Sequence, residues 1–401
     1  MDILSRLYEM TAFRELAADP GAILMLSLSF LLLYLGIKKR YEPLLLVPIA
    51  FGVLLANFPG GHMNVVSSYA DKAIMEMTLV QIASEYGIMN MLYYALIKTG
   101  LLPPLIFMGV GAMTDFGPML RNLRLAFFGA AAQLGIFIVL ISAVALGFSL
   151  KEAGALGIIG GADGPTAIYT AIILAPHLLG PIAIAAYSYM ALVPVIIPFV
   201  VKLMVSESEL KINMKEQEKL FPAKTRIKDL QKVKIIFPII LVLMVSVLVP
   251  SAVPLLGLLM FGNLIKEVGA DTNRLFVAAS ETIMNTATIF LGLSIGATMT
   301  AESFLNSQTL LIVAGGFLAF AFSIAGGIIA VKITNMFSKK KINPLIGATG
   351  LSAVPMASRV ANDIALKYDP QNHLLQYAMS SNISGVIGSA VAAGVLISFL
   401  G

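Results

Sequence analysis

The chain has 401 residues, of which 58% are hydrophobic and 12% charged, and its formal net charge is +5. A soluble domain has about a quarter charged residues, so this composition excludes a water-soluble globule and indicates that the bilayer is the main solvent. There is no cysteine, which excludes disulfides and thiolate metal sites, and the three histidines are too widely spaced to predict a zinc site. The basic clusters between apolar runs are typical of topology signals and do not predict a nucleic-acid surface.

A membrane-crossing helix needs roughly 20 apolar residues, and many runs in this sequence approach that length. The fold class predicted is an all-α polytopic membrane protein. Residues 1–100 are expected to form an amphipathic N-terminal helix, with a frayed tail as the alternative, followed by peripheral or scaffold spans. The predicted spans are Ala22–Ile37, Pro43–Phe58, Tyr86–Ile97, Leu101–Met113, Leu125–Phe148, Ile182–Val201, Ile235–Pro250, Val253–Leu264, Leu275–Ala297, Leu310–Val331 and Leu375–Leu400.

Two apolar stretches carry Gly and Pro in their middle: residues 154–176, the first broken segment, and residues 343–365, the second broken segment. Backbone released from helical bonding at membrane depth must be buried in protein or line a wet cavity. Paired interrupted helices in the two halves of a chain point to a transport site.

The halves resemble each other beyond the broken segments. Residues 106–114 (IFMGVGAMT) are similar to residues 289–298 (IFLGLSIGAT), and a long apolar span and then a broken segment follow each. Residues 101–201 and 235–401 are therefore predicted to be two repeats. The basic loop 202–234 is expected to be cytoplasmic, and counting spans outward from it makes the repeats inverted.

Asp163 lies in the run GGADGPT of the first broken segment. A carboxylate at membrane depth costs about 3 kcal/mol, so it is rare without a role. Flanking glycines allow exposed backbone carbonyls, Pro165 can begin a half-helix, and the Thr166 hydroxyl adds another hard oxygen ligand. The pattern predicts a site for a small cation. The alternative is a helix cap, and the two roles are compatible.

The second broken segment carries Asn343, Gly347, Ser352 and Arg359, and Asn382 follows in a polar cluster of the last span. The amide and hydroxyl oxygens are candidate ligands of a cation that Asp163 neutralises. Arg359 can hold a carboxylate, or it can be a span-end arginine that snorkels to the membrane surface. Small residues near Asn382 also fit close helix packing.

Three acidic residues in or near apolar segments, Asp115, Glu281 and Asp363, are expected at span ends facing water. Tyr187 and Tyr189 lie near the start of a span, where an interfacial aromatic belt is the simpler interpretation and a proton relay the alternative.

The runs GGADGPTAIYTAIILAP, AAYSYMALVP, NPLIGATGLSAVPMASRV and NISGVIGSAVAAGVL resemble the β subunit of the biotin-dependent sodium-pumping decarboxylases, which act on oxaloacetate, methylmalonyl-CoA or glutaconyl-CoA. The resemblance covers most of the chain beyond about residue 100. It implies an inverted-repeat core related to elevator-type transporters, a β trimer, and a place in a bacterial or archaeal cytoplasmic membrane.

The resemblance also implies roles for individual residues. Asp163 corresponds to the ion-binding aspartate, with Asn343, Gly347, Ser352 and Asn382 as further candidate Na⁺ ligands. Tyr189, and not Tyr187, corresponds to the functional tyrosine, and Arg359 is expected to contact the carboxybiotin. No cofactor is expected to be covalently attached to this chain. The implied partners are a biotin carrier, a carboxyltransferase and a small membrane-anchored γ/δ-type subunit.

The implied activity is decarboxylation of carboxybiotin, which consumes an external proton and drives Na⁺ export. The sequence alone leaves a secondary sodium-coupled carboxylate transporter as the alternative, because the same fold would serve it. A non-catalytic membrane anchor gives no reason to place Asp163 inside the membrane.

Overall fold

The computed structural model describes residues 8, 11–40, 42–66, 71–221, 229–353 and 355–401. In these residues all regular secondary structure is helical. Seven helices of this part are long and apolar enough to cross a membrane, and two bent helix pairs raise the number to nine if each is one span. The prediction of an all-α polytopic membrane protein is confirmed. The seven helices are Pro20–Ile37, Leu123–Ala145, Leu230–Leu248, Pro250–Val268, Ala270–Ala297, Ser307–Phe337 and Leu375–Leu400.

Shorter helices connect or flank these spans. Much of the predicted N-terminal amphipathic helix lies outside the described residues, and its described part is the helix Phe13–Ala18. The others outside the bent pairs and broken segments are Pro43–Ala56, Asp71–Met75, Leu79–Tyr86, Gly117–Arg121, Glu207–Leu210, Met214–Leu220 and Ala301–Phe304.

Two helix pairs are bent, the first where the predicted spans Tyr86–Ile97 and Leu101–Met113 meet and the second within one predicted span. Helices Ile88–Ile97 and Leu102–Met113 meet at 65°, and Pro176–Met190 meets Val193–Met204 at 68°. The second bend divides the predicted span Ile182–Val201. Its cause is Pro194, which has no N–H for the preceding turn but fits the first turn of a new helix.

The first broken segment is interrupted by a change of backbone conformation. Helix Leu150–Gly157 tightens into a 3₁₀ turn, Ile158–Gly161, and Ala162 then adopts a left-handed φ of 54°. A new helix, Gly164–Leu174, begins immediately after Asp163. The second broken segment is also interrupted between two helices: Leu345–Ala348 ends at Thr349, and Met356–Tyr368 begins after Pro355.

Both breaks pack at backbone distance against the span Leu123–Ala145. A Cβ atom on Gly160 would lie 2.8 Å from the carbonyl carbon of Gly135, and one on Gly350 would lie 2.6 Å from the Ala132 Cβ. Glycine is therefore required at both positions, and it brings the two broken segments to the same span.

Two helix pairs each bring a helix of the N-terminal half of the chain against a helix of the C-terminal half. In the first, Pro43–Ala56 packs against Met284–Ala297, and Asn57 Nδ2 donates to Met299 O at 2.7 Å. The Asn57 side chain thereby satisfies a backbone carbonyl just beyond the end of the neighbouring helix.

In the second pair, Val253–Val268 packs against Leu102–Met113, and Asn263 Nδ2 donates to Thr114 O at 2.8 Å. An asparagine again satisfies a carbonyl just beyond the end of the neighbouring helix. Each pair joins a helix of the N-terminal half to one of the C-terminal half, so the two halves are interleaved.

Candidate functional site

Asp163 caps the helix that begins at the first break. Its Oδ1 accepts a hydrogen bond from Thr166 N at 3.3 Å, and Pro165 occupies the first turn, where its missing N–H costs nothing. The residue is only 6% exposed. The cap considered from the sequence is therefore present, but it uses only one of the two carboxylate oxygens.

The second carboxylate oxygen connects Asp163 to two other elements. Ser389 Oγ, on the C-terminal helix Leu375–Leu400, donates to Asp163 Oδ2 at 2.8 Å, and Ser352 Oγ donates to Ser389 Oγ at 3.0 Å. Ser352 N also donates to Gly161 O at 3.1 Å. The two broken segments thus meet at their breaks, with a chain of hydroxyl groups leading to the buried carboxylate.

Asp163 has no cationic side chain among its described partners. Its hydrogen bonds come from a hydroxyl and a backbone amide, and no ion pair of the described residues includes it. A buried, ionised carboxylate is costly unless an opposite charge or a proton neutralises it. This arrangement can therefore accept a small cation and a proton in turn.

Polar atoms without partners cluster around this carboxylate. Eight buried side-chain polar atoms of the described residues have no hydrogen-bond partner, and three belong to the surroundings of Asp163. They are the Thr166 hydroxyl, the Tyr187 hydroxyl and Gln133 Oε1. Such orphaned oxygens are rare in native proteins and require an explanation.

The two tyrosines have different environments. Tyr187 is 3% exposed, and a Cβ atom on Gly164 would overlap its ring, so its side chain lies directly beside the break. The aromatic-belt interpretation is therefore wrong for Tyr187. The half-buried Tyr189 packs on the helix Ser307–Phe337 instead, with ring centroids 6.3 Å from Phe317 and 6.1 Å from Phe320.

Asn343 has partners for its whole side-chain amide in this conformation. Its Nδ2 donates to Leu210 O at 2.9 Å and to Ile212 O at 3.0 Å, and its Oδ1 accepts from Leu345 N at 3.0 Å. Asn343 therefore fastens the start of the second broken segment to the basic loop 202–234. Gly347, one turn later, packs against the backbone of Gly327.

Asn382 holds the second break from the side of the C-terminal helix. Its Nδ2 donates to Thr349 O at 3.1 Å and also to Leu351 O, while its Oδ1 accepts from Ser358 Oγ at 3.3 Å. These bonds satisfy carbonyl groups that lost their helical partners. The geometry thus connects Ser352 to Asp163 and gives Asn343 and Asn382 anchoring contacts.

The remaining charged candidates lie at helix ends or on exposed surfaces. Arg359 is exposed and has no ion pair with the described residues, and Asp363 is also exposed. Glu281 is exposed too, but it lies inside the span Ala270–Ala297, so its expected place at a span end is wrong. Asp115 lies 2.6 Å from Lys234 Nζ. Burial raises the pKa of Asp115, but hydrogen bonds from Lys234 and from the Gly117 amide outweigh it and hold that pKa below its usual value.

Two residues of the site were not among the predicted site residues. Ser389 lies in a run of small residues after Asn382, and a hydroxyl in such a run does not by itself indicate a ligand. Gln133 lies inside the predicted span Leu125–Phe148. An amide in the middle of an apolar span was the available signal, because buried amides need partners.

Comparison with known proteins supports the resemblance. Residues 21–400 match the family described as the Na⁺-transporting oxaloacetate decarboxylase beta subunit. The chain is 46% identical over 400 residues to methylmalonyl-CoA decarboxylase subunit beta of Propionigenium modestum, covering 98% of each chain. It is 45% identical over 423 residues to the oxaloacetate decarboxylase beta chain of Haemophilus ducreyi, covering 95% of each. It is 46% identical over 381 residues to glutaconyl-CoA decarboxylase subunit beta of Acidaminococcus fermentans, covering 95% of this chain and 94% of that one.

Proposed function

The chain belongs to the family of β subunits of sodium-transporting decarboxylases, and from this premise we propose that Asp163 binds the sodium ion that the complex exports. The protein is the membrane subunit of a sodium-translocating decarboxylase. The observation that carries the proposal is the buried carboxylate that lies between two interrupted helices and has only uncharged donors.

The reaction that drives sodium export in this proposal is the decarboxylation of carboxybiotin. The C–N bond between the carboxyl group and the ureido nitrogen breaks, and carbon dioxide leaves. The electron pair of the broken bond stays on the nitrogen, which takes up a proton. The proton comes from outside and sodium moves outward. Coupling requires the proton and the sodium ion to compete for one negative charge, and Asp163 provides that charge.

Ser352 is the member of the predicted ligand set closest to this role, because Ser389 connects its hydroxyl to Asp163. In the proposal, Asn343 and Gly347 contribute as members of the second broken segment, and Asn382 contributes by holding the Thr349 and Leu351 carbonyl groups of that segment in place. Movement of that segment during transport would bring its oxygens into or out of reach of the ion.

Tyr189 and Arg359 complete the proposed machinery. Tyr189 would lie on the proton route, with its ring held against the helix Ser307–Phe337. Exposed Arg359 would orient the carboxylate of carboxybiotin, because a guanidinium presents two parallel donors to a carboxylate.

The inverted-repeat architecture and an elevator-like core belong to the same proposal. Support comes from the two interleaved helix pairs, in which Asn57 and Asn263 satisfy the carbonyls of Met299 and Thr114, and from the matching breaks of the two segments. A two-fold relation between the halves accounts for these parallel features. The sequence predicts the repeats as residues 101–201 and 235–401, joined by the cytoplasmic basic loop 202–234, and we extend the first repeat to include the helix Pro43–Ala56, the counterpart of Val253–Val268 in this relation.

The proposed assembly follows from the family. We place the chain as a homotrimer in a bacterial or archaeal cytoplasmic membrane, with a biotin carrier, a carboxyltransferase and a small membrane-anchored γ/δ-type subunit. Exposed apolar side chains of the helix Leu230–Leu248, such as Leu243 and Val247, suit contact with lipid or with a neighbouring subunit.

The experiment is ²²Na⁺ transport by proteoliposomes that contain the purified complex, started with the carboxyl donor. Asp163→Asn keeps the size of the side chain and removes the charge, so we expect loss of sodium-dependent carboxybiotin decarboxylation and of transport while the complex still assembles. Asp363→Asn makes the same change at an exposed position and serves as the control. Normal sodium transport by the Asp163→Asn complex would refute the assignment.

The same preparation separates the pump from a secondary carboxylate carrier. A pump moves ²²Na⁺ whenever carboxybiotin forms and needs no organic acid inside the vesicles. A carrier moves ²²Na⁺ only together with a transported acid. Sodium movement that follows an acid gradient in the absence of biotin would favour the carrier.

A further inference from the structure

Gln133 lies where four elements of the transport core meet. It marks a turn between the helices Leu123–Ala132 and Leu134–Ala145, and its side chain is 6% exposed. A Cβ atom on Gly388 of the C-terminal helix would lie 3.0 Å from the Gln133 Cγ. Both broken segments also approach the same side chain, through Gly161 of the first and Gly350 of the second.

The donor side of the Gln133 amide has a clear structural task. Its Nε2 lies 3.1 Å from Gly129 O, 3.4 Å from Gly385 O and 3.5 Å from Gly350 O. Three carbonyl oxygens can be met only by an NH₂ group, because an amide oxygen there would face three other acceptors. These contacts determine the orientation of the amide, and Oε1 must point the other way.

The acceptor side points toward the site and has no partner. A Cβ atom on Gly161 would lie 3.5 Å from Gln133 Oε1 and 3.1 Å from the Ser389 Cβ. Ser389 is the residue that donates to Asp163. A buried amide oxygen is thus fixed beside the break, close to the carboxylate system, without any donor to satisfy it.

We propose that Gln133 Oε1 is a neutral ligand of the cation bound at Asp163. This inference rests on the proposed function and adds a residue to it. Sodium is a hard cation that takes carboxylate, hydroxyl and carbonyl oxygens, and the surroundings of Asp163 provide all three. A bound cation would satisfy Oε1 and neutralise the carboxylate together, which accounts for both unusual features of the site.

A neutral ligand also supports ion selectivity. A proton needs only the carboxylate, whereas a sodium ion needs several oxygens around it. Removal of Gln133 Oε1 should therefore weaken sodium binding, with much less effect on protonation of Asp163. The balance of the competition would move toward the proton.

The test is equilibrium binding of ²²Na⁺ to the purified complex without any carboxyl donor, with displacement by unlabelled NaCl. Gln133→Met has nearly the same shape and lacks the oxygen, so the half-displacement concentration should rise about tenfold. Gln231→Met makes the same change at a glutamine that donates to Glu267 O, outside the site, and should leave binding unchanged. Asp163→Asn should abolish binding.

The outcomes are distinguishable. Normal binding by Asp163→Asn overturns the proposed site, and the inference about Gln133 with it. Loss of binding by Asp163→Asn together with normal binding by Gln133→Met overturns only the inference about Gln133. Weakened binding by Gln133→Met and unchanged binding by Gln231→Met support it.

A second variant decides the matter if Gln133→Met fails to assemble. Gln133→Asn keeps the amide with its donor and its oxygen but shortens the side chain by one methylene group, which withdraws the oxygen from the break. Binding of ²²Na⁺ should then weaken as in Gln133→Met. Normal binding by an assembled Gln133→Asn complex would overturn the proposal.

Discussion

Ser389 shows how a single hydroxyl can connect separate elements. It donates to Asp163 Oδ2, accepts from Ser352, and lies on a third element, the C-terminal helix. A hydroxyl has one proton to donate, and here it lies within hydrogen-bond distance of both the carboxylate and Val386 O at 3.0 Å. Binding of a cation by Asp163 would change how this proton is shared.

The first prediction at this scale concerns Ser389→Ala. Loss of a hydrogen bond to a charged group costs about 2 kcal/mol, which is roughly a 30-fold change in an equilibrium constant. We expect a comparable increase in the sodium concentration that gives half-maximal decarboxylation. Ser384→Ala is the control, because Ser384 lies on the same helix and donates to Ala126 O and Ser381 O. Equal sodium dependence in the two variants would contradict a role for Ser389 at the site.

Asn343 differs from Ser389 because the resemblance implies it as a sodium ligand, but its side-chain amide is fully hydrogen-bonded to other groups. Two of its hydrogen bonds connect the second broken segment to Leu210 and Ile212 of the basic loop 202–234. The third satisfies the backbone N–H of Leu345, where the next helix begins. A ligand role requires that these bonds open during the cycle. The conformation described here has the residue in its anchoring role.

Asn343→Ala should therefore destabilise the complex whether or not sodium is present. Each lost buried hydrogen bond contributes about 1 kcal/mol, and Asn372 still donates to the same two carbonyls, so we expect a loss of about 2 kcal/mol. Thermal unfolding of the purified complex with NaCl or with choline chloride measures this. A decrease in Tm that appears only with sodium would instead indicate direct ligation.

At the scale of elements, an ion pair connects the ends of two spans. Asp115 follows the helix Leu102–Met113, and Lys234 lies in the first turns of Leu230–Leu248, 2.6 Å from Asp115 Oδ1. Lys234 Nζ is also 3.3 Å from Glu267 Oε1. The pair thus holds the start of the helix Leu230–Leu248 against the end of the helix Leu102–Met113. About half of the Asp115 side chain is exposed, so solvent screens the contact.

The pH dependence of this pair has a definite sign. The pKa of Asp115 is lowered from 3.8 in the folded protein, so the stabilisation is fully present above about pH 3.8 and is lost as the pH falls through the lower folded value. Asp115→Asn should lower the Tm at pH 7, and the difference from the unmodified protein should shrink as the pH approaches 3. A constant difference over this range would show that the ion pair is not its source.

Two glycines, Gly160 and Gly350, allow the two breaks to pack against the span Leu123–Ala145. The breaks approach the span Leu123–Ala145 so closely at Gly160 and Gly350 that no side chain fits. These contacts decide which backbone carbonyls face the site. Because small residues are common in membrane helices for packing alone, the sequence does not distinguish these two glycines from the others.

At the scale of the whole molecule, Arg359 is the candidate that faces outward. It is exposed on the helix Met356–Tyr368, directly after the second break, and has no ion pair with the described residues. An exposed guanidinium directly after the second break is available to a ligand held by another subunit. Snorkelling to the membrane surface predicts the same exposure, so function must decide between the two.

Arg359→Lys separates these interpretations. A lysine keeps the charge and snorkels equally well, but it cannot make the bidentate contact with a carboxylate. If the carboxylate of carboxybiotin is the partner, we expect decarboxylation to fall about tenfold while assembly and ²²Na⁺ binding remain unchanged. Lys367→Arg, on the same helix, is the reciprocal control. Near-normal turnover in Arg359→Lys would favour snorkelling.

The sequence by itself determined the membrane class, most of the long spans, the two broken segments and the position of Asp163 at the first of them. These features depend on local composition: apolar runs long enough to cross a bilayer, and Gly and Pro where a helix cannot continue. The family was also readable from the motif GGADGPT and its companions. The bend at Leu192 was missed, because a proline near a helix start predicts either a continued or a new helix.

Only the tertiary structure decided which polar groups meet. Ser389 and Gln133 are separated from Asp163 by 226 and 30 positions respectively, and no local pattern connects either to it. Their convergence depends on glycine contacts between spans and on which face each helix turns inward. Helical periodicity is weak when both faces are apolar, so hydrophobic patterning could not place these side chains at the break.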